Sequence, residues 1–174
     1  MDPVNPKPAP PHSRFLRGGR WSDHYVCYCV TKNVEGRKRV LAAPERADIV
    51  TGSLDYLRKI YEIRLLAFCI MPDHYHALFF LLPKAGTLSA VMAKISRFTS
   101  RQINKALHRS GRFWQDGFHD HRCRNVDDMN DRLWYVENNP VRAGLVEKSE
   151  QWPYCSAHPS RASMLDRDWY SEMR

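Results

Sequence analysis

Met71-Pro72-Asp73-His74-Tyr75-His76-Ala77-Leu78-Phe79-Phe80 decides how the rest of the chain is read. Pro72-Asp73 is a turn signal, because proline presets one backbone angle and an aspartate side chain can bond its own backbone. The arms on either side, residues 63–71 and 74–82, are dense in apolar and aromatic side chains. They are expected to pair as antiparallel strands, and their nearly unbroken hydrophobicity predicts central places in a sheet covered at least in part on both faces. Alternation along a strand sends His74 and His76 the same way and Tyr75 into the opposite layer.

Working outward, residues 24–30 read as a first strand with Val26, Tyr28 and Val30 on one face. Pro44 opens a stretch in which Ile49, Leu54, Leu57 and Ile60 recur at helical spacing, ending near Tyr61. Over residues 88–109, Leu88, Val91, Met92, Ile95, Phe98, Ile103 and Leu107 gather on one side of a long helix that Gly111 stops. Residues 113–123 read as another extended segment, interrupted by Gly117. Asn125 or Asp127 can then cap a third helix, which is expected to end at Pro140. Strand, helix, strand, strand, helix, strand is the order of an α+β, ferredoxin-like βαββαβ sandwich with two helices on one sheet face. The third helix is left to cross the other face.

Five prolines in the first eleven residues predict a flexible tail over residues 1–19. Residues 20–157 read as one domain and 158–174 as a C-terminal tail, since 174 residues suffice for one core and not for two ordinary ones. A mean hydropathy of −0.57 and the lack of a long apolar run exclude a transmembrane helix. The net charge of +8 favours a polyanion as partner. Five cysteines without a C-x-x-C pair argue for a reducing, cytoplasmic setting.

Three features could carry chemistry. His74 and His76 converge on one point, and neutral imidazole is a common ligand for divalent metals; the plainer alternative is a pair of hydrogen-bonded histidines at a sheet edge. On the third helix, Val126, Met129, Leu133 and Val136 share a packing face. Tyr135 and Asn139 lie off that face, one turn apart, so a phenol nucleophile and an amide oxygen ligand are presented together. Between Asp73 and Asp116 there is no acidic residue, yet Lys94, Arg97, Arg101, Lys105 and Arg112 are present. An unmixed stripe forgoes the support of opposite charges one turn apart, and with Phe113, Trp114 and Phe118 nearby it reads as a single-strand track with stacking platforms. His119-Asp120-His121 is a second H-x-H, read as structural or DNA-facing, and Cys27 and Cys29 as small apolar packing groups.

Met71-Pro72-Asp73-His74-Tyr75-His76, the Asn104 helix with Gly111-Arg112-Phe113-Trp114-Gln115, and Tyr135-Val136-Glu137-Asn138-Asn139-Pro140-Val141-Arg142-Ala143-Gly144-Leu145-Val146 together resemble the REP-associated tyrosine transposases. These are single-tyrosine transposases of the HUH class, named for His-hydrophobic-His, and the resemblance runs from about Arg20 to Ser156. It implies the ferredoxin-like fold already reached. It further implies metal-dependent nicking and joining of single-stranded DNA at hairpins of repetitive extragenic palindromes, through a 5′-phosphotyrosine intermediate. Position by position, Tyr135 would be the nucleophile, His74, His76 and Asn139 the ligands of Mg²⁺ or Mn²⁺. Arg14, Arg17, Arg20, Lys94, Arg97, Arg101, Lys105, Arg112 and Trp114 would hold the DNA. Such a protein would work at the nucleoid as a monomer or homodimer. Asp73 stands where Asn is common, and Tyr75 fills a position that is usually aliphatic.

Two rival functions fit the same residues. A non-catalytic nucleic-acid binder would need only the basic stripe and the sheet aromatics. A zinc hydrolase would recruit His119 or His121 to the His74–His76 pair.

Overall fold

The computed structural model describes residues 22–168. Its order is β1 (Cys27–Asn33), α1 (Pro44–Lys59), β2 (Ile63–Met71), β3 (His74–Leu81), α2 (Leu88–Ala106), β4 (His119–Arg122) and α3 (Val126–Arg142). The strands form one antiparallel sheet in the order β2-β3-β1-β4. This is the ferredoxin-like βαββαβ arrangement that the chain order predicts, with α3 added. The Pro72-Asp73 turn closes the β2–β3 hairpin as expected, with Met71 opposite His74. Its two carbonyls are bonded by the Leu41 and Val34 amides, so the turn is tied down from the β1–α1 connection.

One sheet face buries Tyr28, Val30, Phe68, Ile70, Tyr75, Ala77 and Phe79 against α1 and α2. The other buries Cys27, Cys29, Cys69, Met71, Leu78 and Phe80 against Met129 and Val136 of α3, with Cys155 beside them. In β2 the pairing with β3 slips by one residue between Leu65 and Ala67. That extra residue inverts the alternation: Ile63 and Leu65 precede it on the α1/α2 face, and Cys69 and Met71 follow it on the α3 face.

The helices α1, α2 and α3 end in the same pair of hydrogen bonds. The residue past the C-cap donates to the carbonyl three back and its successor to the carbonyl five back, at Tyr61/Glu62, His108/Arg109 and Gly144/Leu145. The first residue of each pair lies in the left-handed region, and only the third is glycine.

Several features differ from the sequence reading. β2 takes a sheet edge rather than a central place, its outer side covered by hydrogen bonds with Tyr154 and Ser156, and β4 spans only His119–Arg122 of the extended segment expected over 113–123. β1 begins at Cys27 rather than residue 24, because Tyr25 takes a positive φ, and it continues through polar Thr31, Lys32 and Asn33. The α3 helix does not stop at Pro140 but runs to Arg142. Pro140 sits in the last turn, where its own carbonyl accepts from Leu145 and the chain then closes on Gly144. Residues 158–168, expected as tail, pack on the body: Asp166 bonds the Leu65 amide and carbonyl and pairs with Arg58, while Arg167 reaches Glu137 and the Leu66 carbonyl.

Candidate nuclease site

His74 opens β3 and His76 follows on the same face, so both look out beside α3 rather than into the α1/α2 core. Their Nε2 atoms are 3.0 Å apart. Each Nδ1 is held from behind. The Asp73 carboxylate accepts from Nδ1 of His74 at 2.6 Å, and Arg37 grips the same carboxylate through Nε at 2.9 Å while also donating to Asn33. Nδ1 of His76 meets the Thr31 hydroxyl at 2.7 Å, because β1–β3 register sets Thr31 directly opposite. His76 is 3% exposed. Burial, with His74, Arg37 and Arg142 adding repulsion, drives its pKa down to about 3. Burial also lowers His74, against the pull of Asp73. Both rings are therefore neutral near pH 7, the form that ligates metals.

The donor set suits a cation. Two imidazole lone pairs at 3.0 Å repel unless a proton or an ion lies between them. Nitrogens ~2.1 Å from one ion and at right angles to each other lie ~3.0 Å apart, which is the spacing of adjacent positions on an octahedral ion. Among the described residues no cluster of three or more His, Cys, Asp or Glu side chains could hold a metal, so the rest of the shell would fall to an amide, water or substrate. That finding also removes the support for a zinc triad: Nε2 of His121 is engaged by Asp128, and His119 is exposed on β4, beyond Thr31.

The α3 helix crosses this face and brings Tyr135 to the histidines. The half-buried Tyr135 ring stands edge-on to His76, centroids 5.4 Å apart and planes at 78°. The Arg142 guanidinium lies over the same ring at 4.9 Å, two turns further along the helix, and fixes a positive charge there. Asn139 lies one turn beyond Tyr135. Its amide nitrogen donates to the Tyr135 carbonyl at 2.7 Å, which leaves its amide oxygen as the atom available to a ligand.

The structure separates the expected DNA contacts. Arg14, Arg17 and Arg20 lie outside the described residues. Arg97, Arg101 and Lys105 are exposed on α2, on the opposite side of the sheet from the histidines. Arg97 and Arg112 line a cleft of about 300 Å³ with Gln115, at the sheet end where Asn33 pairs with His74. Arg112 itself pairs with Asp116 at 3.0 Å. One contact is corrected. Trp114 is 4% exposed: its ring packs on Tyr75 and Phe113 and its Nε1 donates to Thr99, so it is a core residue and not a stacking platform. Lys94, half exposed, pairs with Glu62, an acid that precedes β2. Thr31 and Arg37 escaped the sequence reading because strand register and the path of the β1–α1 connection, not spacing along the chain, bring them to the site, whereas Arg142, two turns beyond Tyr135 on one helix, was within reach of helical spacing.

Residues 24–139 match the model of the family described as transposase, IS200-like. Over 119 residues, 63% of this chain and 68% of the relative, the sequence is 31% identical to a Haemophilus influenzae protein assigned to the REP-associated tyrosine transposases. It is 24% identical over 163 residues to the REP-associated tyrosine transposase of Escherichia coli, covering 91% of this chain and 89% of that one. Among solved structures, a REP-associated tyrosine transposase bound to a REP hairpin shares the fold, with a TM-score of 0.68 and 22% identity over 84% of this chain and 86% of that one. Among the described residues no helix is long and apolar enough to cross a membrane.

Proposed function

The chain belongs to the IS200-like transposase family, a class of enzymes that cleave and join DNA, and we propose that it nicks and rejoins single-stranded DNA beside REP-type hairpins with Tyr135 as nucleophile. The observation that carries this reading is the edge contact of Tyr135 with His76, whose Nε2 faces that of His74 at 3.0 Å. His74 and His76 would hold Mg²⁺ or Mn²⁺, with Asn139 as the third protein ligand. Bound there, the ion supplies charge neutralisation at the scissile phosphate.

The chain's own residues do the rest. The Tyr135 oxygen forms a bond to phosphorus as the bond to the 3′ oxygen breaks, leaving a 5′-phosphotyrosine and a free 3′-hydroxyl. The phenol's proton leaves with the attack and the departing 3′ oxygen takes one up. Arg142, over the ring, stabilises negative charge at the tyrosine. Because no water enters the bond, the reverse attack by a 3′-hydroxyl rejoins a strand. Arg97, Arg101, Lys105 and Arg112 would bind phosphates along the flank of the hairpin. Such a protein would reside at the nucleoid.

Incubation with single-stranded DNA carrying the hairpins found beside its own gene, with and without Mn²⁺, tests the reading. The expected product is a protein–DNA adduct that wild type forms and Tyr135→Phe does not. An adduct formed equally by Tyr135→Phe assigns the nucleophile elsewhere. Hairpin binding by wild type without any adduct favours the non-catalytic binder.

A further inference from the structure

Asp73 and Thr31 support the two histidines in chemically different ways. Asp73 can only accept, so the His74 proton is fixed on Nδ1 and its Nε2 always carries a lone pair. With no cation between them, two nitrogens at 3.0 Å are then held together only by a hydrogen bond donated by Nε2–H of His76. That tautomer leaves a lone pair on Nδ1 of His76, 2.7 Å from the Thr31 hydroxyl, which donates to it. Presenting the His76 Nε2 lone pair to a cation requires the proton on Nδ1 instead, and the same hydroxyl must then accept. A carboxylate could meet only the second need and an ammonium only the first; a hydroxyl meets both by rotating.

We propose that Thr31 is the positioning residue that switches His76 between its two tautomers, donating when the histidine pair is empty and accepting when it holds a divalent cation. The inference rests on the assignment of His74 and His76 as cation ligands. One proton leaves Nε2 and one is taken up at Nδ1, so the exchange is balanced.

Long-range ¹H–¹⁵N spectra of histidine-labelled protein read the ring protons directly. Without metal, His74 is expected as the Nδ1–H form and His76 as Nε2–H; added Mg²⁺ converts His76 to Nδ1–H. Thr31→Val, of nearly the same shape but unable to do either job, is expected to weaken Mn²⁺ binding by about 10- to 100-fold in calorimetry. Thr31→Ser keeps the hydroxyl and stays near wild type, which a packing role for the methyl group would not give. His76 found as Nδ1–H before any cation is added overturns the inference, as does wild-type Mn²⁺ affinity in Thr31→Val. If Thr31→Val does not fold, the wild-type spectra still decide. Mg²⁺ that leaves both rings unperturbed overturns the ligand assignment itself; Mg²⁺ that shifts them without a tautomer change in His76 overturns only the role of Thr31.

Discussion

Acidification of the metal-free protein should expose the cost of burying His76. The ring is 3% exposed and its pKa falls from 6.5 to about 3, chiefly through burial and further through His74, Arg37 and Arg142. Between these values the unfolded chain binds a proton on this ring and the folded chain does not, so stability falls as pH falls. At 1.36 kcal/mol per pH unit the loss is about 2 kcal/mol at pH 5 and about 3 kcal/mol at pH 4, approaching ~5 kcal/mol below pH 3. Other groups also titrate in this range, among them Asp55, whose ion pairs with Lys59 and Arg58 hold its pKa low against burial. Groups away from the histidine pair are common to wild type and His76→Gln and cancel, so the difference between the two reports the His76 imidazole together with its effect on the neighbouring His74. Urea midpoints followed by circular dichroism from pH 7 to 4, in the presence of chelator, should show His76→Gln losing about 3 kcal/mol less than wild type. Parallel pH profiles for the two proteins would refute the argument.

Other outcomes follow from contacts away from the histidine pair. Trp114→Phe should lower unfolding stability by about 1–2 kcal/mol through the lost indole hydrogen bond to Thr99, whose hydroxyl keeps its bond to the Ile95 carbonyl, and through the lost ring volume, while hairpin affinity in a fluorescence titration stays at the wild-type value. Arg97→Ala should leave stability unchanged and reduce the slope of log affinity against log salt by ~0.7, as one lost phosphate contact. Lys94→Ala should do the reverse, costing about 1–2 kcal/mol of stability because Glu62, 5% exposed, loses its cation, with little change in that slope. His108→Gly should stabilise the fold and Gly144→Ala should destabilise it, each by about 1 kcal/mol in thermal unfolding, since both positions are left-handed.

Local signals made much of the fold legible. The Pro72-Asp73 turn and the apolar arms beside it give the β2–β3 hairpin, although only β3 is central and β2 takes the sheet edge despite its unbroken hydrophobicity, and apolar spacing places α1 and α2 to within a few residues. Alternation alone puts His74 and His76 on one side. What stayed illegible depends on distant partners. Lys32 looks like a loop residue until the carbonyls of Gln115 and Gly117 receive its buried ammonium. Trp114, beside basic neighbours, resembles a binding aromatic, and only the fold shows Thr99 waiting beneath it. Lys94 belongs to an unmixed stripe along the chain, but its counter-charge arrives from Glu62, 32 positions earlier. That Thr31 stands behind His76 is a matter of β1–β3 register, which no spacing along the chain reports.

The exposed arginines of α2 and the histidine pair occupy opposite sides of a single sheet. A strand engaged by both must bend round the rim near Asn33 and Gln115, which makes the two grips a bidentate clasp. Each grip raises the effective concentration of the strand at the other only when the oligonucleotide is long enough to reach. Trimming the substrate should therefore lower avidity in a step rather than gradually, at the length where the bridge can no longer be made.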